Sequence, residues 1–201
     1  MSALTELCRQ MASCHECGLA QQRTQVVPGE GADGAEIVFI GEAPGYHEDR
    51  LGRPFVGPAG AFLDELLALV GLSRQSVYIA NVVKCRPPGN RDPLPGEILA
   101  CKMWLDRQLE MIGPKVVVTL GRFSLARFVP NESISKVHGK PRQVGDLVCF
   151  PMYHPAAALH QGSLRRTIEE DMQRLPDVLK ELKGAAEQAR RDDGGQQLAL
   201  F

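Results

Sequence analysis

Residues 36–60, EIVFIGEAPGYHEDRLGRPFVGPAG, constrain the fold more than any other stretch of the chain. Ile37, Val38, Phe39 and Ile40 form an unbroken apolar run, the pattern of a parallel strand buried on both faces. The run breaks into Gly41-Glu42-Ala43-Pro44-Gly45, where two glycines and a proline force a sharp turn at the strand's carboxyl end. In open α/β sheets, ligands bind just beyond that edge. An acid (Glu42) and an aromatic (Phe55) placed there read as a site rather than a connection.

Three further apolar runs repeat the unit. Strands are expected at 77–83, 115–120 and 147–152, with helices at 61–72, 95–112 and 122–129 and a last helix over 165–183 that breaks before Pro176. A modest helix is expected at 3–11. The chain's 201 residues suffice for one domain with a real core. We therefore expect an α/β domain over 1–183, followed by a polar, flexible tail over 184–201. The formal net charge is −1, so a polyanionic partner has to be met by a local basic patch. No apolar run approaches the ~18 residues that span a bilayer. The first residues carry acid and lack an apolar signal core, so the expectation is a cytoplasmic protein without membrane contact. Nothing in the sequence demands a dimer, and a monomer is expected.

Six cysteines in such a chain point to metal or redox chemistry before structural disulfides. Cys14-His15-Glu16-Cys17-Gly18 has the C-x2-C spacing that brings two thiolates to one centre. Cys85, on a loop, and Cys101, on the following helix, bring the set to four. All-sulfur ligation suits zinc and an iron–sulfur cluster equally. Cys8 and Cys149 have no partner at useful spacing and read as small buried hydrophobes.

Two polar residues fall at the same sheet edge as Glu42. Asn81 sits in an apolar strand, where an amide either satisfies a backbone neighbour or reads a ligand. His154 follows the fourth strand in Tyr153-His154-Pro155; a lone histidine is ordinarily structural, but this one shares the edge with Glu42 and Asn81. Lysines and arginines gather on glycine- and proline-rich loops: Lys84, Arg86 and Arg91 in 84–93, and Lys140 and Arg142 in 135–142. For any one of them a merely solvated charge is the competing reading.

GEAPGYHED with RPFVGPAG, then NVVKCRPPGNRDP, HGKP and HPAAAL, resemble the ordered motif series of family 4 uracil-DNA glycosylases, over about residues 14–175. The resemblance implies an α/β/α sandwich around a four-stranded parallel sheet. It also implies a 4Fe-4S cluster on Cys14, Cys17, Cys85 and Cys101, settling iron–sulfur over zinc, and removal of uracil from DNA. Gly41 and Ala43 would then line the base pocket and Phe55 would stack on the base. Asn81 would pair with uracil N3–H and O4, and His154 would donate to O2. Glu42 would stabilise the sugar cation or position the attacking water. The better-known family 1 turn resembles GQDPY; here Ala43 and Gly45 stand in the places of its aspartate and tyrosine, which throws the burden on Glu42. A covalent-trapping relative carries a histidine in a KRRIH insertion, whereas RPPGNRDPLPGE has none, so turnover is expected. Lys84, Arg86, Arg91, Lys140 and Arg142 would contact DNA, with Leu159 a wedge for the gap left by the flipped base. The last residues, Gln197-Leu198-Ala199-Leu200-Phe201, resemble the short peptide by which bacterial repair proteins dock on the replication sliding clamp. Two rival readings are a non-catalytic iron–sulfur DNA-binding module and a zinc-stapled hydrolase acting on a nucleotide.

Overall fold

A computed structural model describes residues 2–197, with side chains to 185 and at 188. In chain order its elements are α1 (Ala3–Met11), β1 (Glu30–Gly31), β2 (Ile37–Gly41), α2 (Tyr46–Leu51), α3 (Pro58–Leu69), β3 (Tyr78–Asn81), α4 (Pro95–Ile112) and β4 (Val116–Leu120). There follow α5 (Arg122–Phe128), α6 (Ile134–Val137), β5 (Arg142–Val144), β6 (Leu147–Met152), α7 (Pro155–His160) and α8 (Ser163–Gln197).

The strands make one sheet in the order β1-β3-β2-β4-β6-β5. The inner four run parallel, as the unbroken apolar runs require, since each is buried from end to end apart from the first residue of β6. The expected four-stranded sheet is corrected to a mixed six-stranded one. β1 and β5 add antiparallel edges, and their two or three residues lack the apolar run that marks a buried strand.

Alternation along the strands divides the core in two. Phe39, Ile79, Val118 and Phe150 face α3 and α8, packing on Phe62, Leu63, Leu66, Ile168 and Met172. Val38, Ile40, Ala80 and Val117 face α1 and α4, packing on Leu4, Leu7, Met11, Trp104 and Leu105. The result is the expected helix–sheet–helix sandwich.

The last helix departs from expectation. α8 runs through Pro176 without a break and on to Gln197, past the point where the sequence reads as a fraying tail. Proline removes one hydrogen bond from a helix interior. Here Ile168, Met172, Leu175 and Val178 form an apolar stripe buried on the sheet, and that packing overrides the local preference. Residues 198–201, which hold most of the clamp-like peptide, lie outside the described residues.

Candidate active site

β2, β3 and β6 end at the same edge, and the loops that follow them enclose a cleft of about 600 Å³. Glu42, Ala43, Phe55, Asn81 and His154 all line it. Gly41 pairs directly with Asn81 in the ladder. A Cβ at Gly41 would come within 2.4 Å of Asn81 Oδ1 and 2.6 Å of Phe55 Cζ, so only glycine lets the amide and the ring approach.

Phe55 is buried with φ at 53°, the left-handed region that a bulky residue enters only under constraint. Arg74 supplies the constraint: its guanidinium donates to the carbonyls of Pro54 and Phe55 and is itself held by Glu30 and Asp64, each at 2.6 Å. Gly60 completes it, because a Cβ there would lie 1.7 Å from the Phe55 carbonyl oxygen. The aromatic face is therefore fixed before any ligand arrives. The His154 ring lies against it, with centroids 5.4 Å apart and planes at 25°.

His154 caps α7: its Nδ1 accepts from the Ala156 N–H at 3.1 Å. A ring that accepts at Nδ1 carries its proton on Nε2, so the neutral imidazole is a donor into the cleft. Burial lowers its pKa from 6.5 to about 4, with the nearby Glu48 opposing the shift. Asn81 is 2% exposed, and its Oδ1 has no hydrogen-bond partner among the described residues. A buried acceptor without a donor costs about 1–3 kcal/mol. Burial raises the Glu42 pKa, the charge of Asp92 adds to the rise, and Arg122 opposes both.

One organiser escapes sequence reasoning. Glu48 takes the Gly45 N–H on Oε2 and the Val56 and Gly57 N–H groups on Oε1, each at 3.0 Å. It thereby ties the turn after β2 to the turn before α3. The acidic HED triplet gives no hint of this, because all three partners are backbone atoms.

The uracil DNA glycosylase superfamily model matches residues 28–176. The chain belongs to that superfamily. It is 47% identical over 188 residues to a type-4 uracil-DNA glycosylase of Sulfurisphaera tokodaii, covering 89% of this chain and 86% of the relative. It is equally identical over 188 residues to one of Archaeoglobus fulgidus, covering 89% and 94%. A third, from Thermotoga maritima, is 47% identical over 172 residues, covering 83% and 90%.

In this superfamily member the four cysteines of the sequence reading line one cavity, formed by α1, the turn after it, the loop after β3, and α4. Three N–H groups point at their sulfurs, each at 3.3 Å: Trp104 Nε1 at Cys14, Arg23 Nη1 at Cys85, and the Lys84 amide at Cys101. Such donors suit thiolates, and four sulfurs lining one cavity are the chemical donor set of an iron–sulfur or zinc centre. Among the described residues, no three His, Cys, Asp or Glu side chains gather closely enough to grip a single metal ion.

Lys84 is corrected. It is 1% exposed and turns inward, donating to the Asn81 carbonyl at 2.9 Å and to Gln108 Oε1 at 2.6 Å, and so cannot reach DNA. Burial lowers its pKa to about 8. Gln108 in turn donates to Pro28 O and Tyr78 OH, so the ammonium braces the strand that carries Asn81. Arg91 lines the cleft but pairs with Glu97 at 2.6 Å. Arg86 is half-buried, with Nε on Asn90 Oδ1 at 2.7 Å. Lys140 and Arg142 do not line the cleft; Arg142 opens β5, opposite Cys149 of β6, and Leu159 is exposed on α7, whose Ala156, Ala157 and His160 line the cleft. No helix among the described residues is long and apolar enough to cross a membrane.

Because the folded pKa of His154 lies below its unfolded value, its neutral state contributes stability that is whole above about pH 6.5. That contribution drains away as pH falls toward about 4. His154→Gln lacks the titration, so the stability gap between wild type and variant should shrink between about pH 7 and about pH 5 in urea unfolding.

Proposed function

We infer that the chain is a uracil-DNA glycosylase that excises uracil in DNA repair, hydrolysing the N-glycosidic bond to release the base and leave an abasic site. Kinship with type-4 enzymes over most of the chain supports the activity. The observation that carries the site is the buried, donor-less Asn81 Oδ1 beside the fixed ring of Phe55.

The target base has to leave the stack to reach such a cleft. Phe55 offers its stacking face, and Gly41 and Ala43 leave room for the ring. Asn81 accepts from uracil N3–H with the orphaned oxygen and offers its amide to O4. Cytosine presents an acceptor at N3 and donors at N4, so both contacts would be mismatched, at about 1–3 kcal/mol per unsatisfied group. As the C1′–N1 bond breaks, negative charge gathers on the base. His154, neutral and donating through Nε2, stabilises it at O2. Glu42 faces the sugar side, where a carboxylate stabilises the developing oxocarbenium or orients water; its raised pKa follows from the dry setting. Ala43 has no group to act on water.

The assay is alkali-revealed nicking of a single-stranded oligonucleotide containing one uracil. Wild type should nick at the uracil, and His154→Ala should lose about 10²–10³ in kcat. No nick from folded wild-type protein would overturn the reading in favour of a binding module.

Cys14, Cys17, Cys85 and Cys101 would hold a 4Fe-4S cluster, a choice supported by their shared cavity and its N–H donors. When bound, the cluster would supply a covalent tie between the knuckle after α1 and the loop following Asn81. Iron and acid-labile sulfide should accompany the purified wild type and fall away in Cys101→Ala.

The peptide Gln197-Leu198-Ala199-Leu200-Phe201 would dock on the sliding clamp, with Leu198, Leu200 and Phe201 filling an apolar pocket. Deleting residues 197–201 should abolish clamp pull-down and leave excision from a short oligonucleotide intact; clamp binding that survives the deletion would exclude it.

A further inference from the structure

The arginines around the cleft are not electrically equivalent. Arg53 pairs with Glu30, Arg91 with Glu97, and Arg122 with Asp92, so each has its charge met within the protein. Arg50 and Arg86 meet no carboxylate among the described residues. Both instead approach one exposed ring. Tyr46 is 48% exposed at the start of α2, immediately after Gly45, which lines the cleft. The Arg86 guanidinium carbon stands 5.1 Å from its ring centroid and that of Arg50 5.6 Å, with Arg50 Nη1 3.4 Å from the phenol oxygen. Arg86 is steered by Asn90, itself a cleft residue.

An exposed aromatic beside two uncompensated guanidiniums, one residue from a base pocket, matches the chemistry of single-stranded nucleic acid. Bases stack on aromatic rings and on guanidinium planes, and phosphates take guanidinium hydrogen bonds. We propose that Tyr46, Arg50 and Arg86 form a docking site for the nucleotide next to the flipped uracil, its base stacked on this cluster and its phosphate held by the two arginines. The cluster would grip the strand on the α2 side of the cleft while the uracil turns inward toward Phe55. This rests on the excision reading above, because the flipped base fixes where its neighbour lies. It adds Tyr46 and Arg50 to the residues the sequence marks for DNA.

The experiment compares three single-stranded uracil oligonucleotides: one intact, one with the base 5′ of the uracil replaced by an abasic spacer, and one with the 3′ base so replaced. KM and kcat are measured by nicking, and affinity by fluorescence anisotropy on the same strands, for wild type, Tyr46→Ala, Arg50→Ala and Arg86→Ala. On the intact strand, Tyr46→Ala should raise KM and Kd about tenfold while kcat holds. With one of the two spacers, wild type should lose the same factor and Tyr46→Ala should lose nothing more. Arg50→Ala and Arg86→Ala should each flatten the dependence of log affinity on log salt by about 0.7. A Tyr46→Ala penalty undiminished on both spacer strands, or a salt slope that neither arginine variant changes, overturns the docking site. Absence of nicking by wild type overturns the excision reading alone, since anisotropy still reports the base-by-residue cycle.

Discussion

The backbone N–H groups of Gly45, Val56 and Gly57 all donate to one carboxylate, Glu48, and the geometry of the site depends on that convergence. The first belongs to the turn that carries Glu42 and Ala43; the other two follow Phe55 and begin α3. Charge-assisted hydrogen bonds of this kind are roughly twice as strong as neutral ones. Here they join two loops that share no regular hydrogen-bond ladder. The floor of the cleft is fixed by the sheet, but its walls are fixed by a side chain. Glu48 also lies near enough to His154 to oppose the lowering of its pKa, so the same carboxylate touches the electrostatics of the opposite wall.

A second brace works from beneath. Lys84 reaches the Asn81 carbonyl with its side chain and Cys101 with its amide, so one residue spans the cysteine cavity and the cleft end of β3. A buried ammonium is costly unless its donors are met. Two of its donors are met by the Asn81 carbonyl and Gln108, and Gln108 is anchored by Pro28 and Tyr78. The network adds to the hydrogen bonds from the Val82 and Val83 N–H groups to Gly41 and Glu42 in holding the carboxyl end of β3.

Much of this was legible in the sequence, and the limits of legibility have physical causes. Unbroken apolar runs disclosed the four buried strands because burial on both faces leaves no polar option. The cleft residues Glu42, Asn81 and His154 stood out because each interrupts or follows such a run at one edge, and Phe55 because it is an aromatic in the loop-rich stretch after the first run. Lys84 misled for the converse reason: one-letter charge says nothing about direction, and a lysine after a strand faces solvent or core according to tertiary contacts alone. Glu48 stayed hidden because its partners are main-chain atoms, which no residue type announces. β1 and β5 were too short and too polar to register, and α8 crossed its proline because the sheet surface beneath it rewards continuity.

The unpaired oxygen of Asn81 has a consequence for the resting protein. Asn81 Oδ1 is buried and meets no protein donor among the described residues, so a ligand that offers an N–H there gains a hydrogen bond without breaking one inside the protein. By mass action, any ligand that binds there to the native state and not to the unfolded chain raises the stability of the fold.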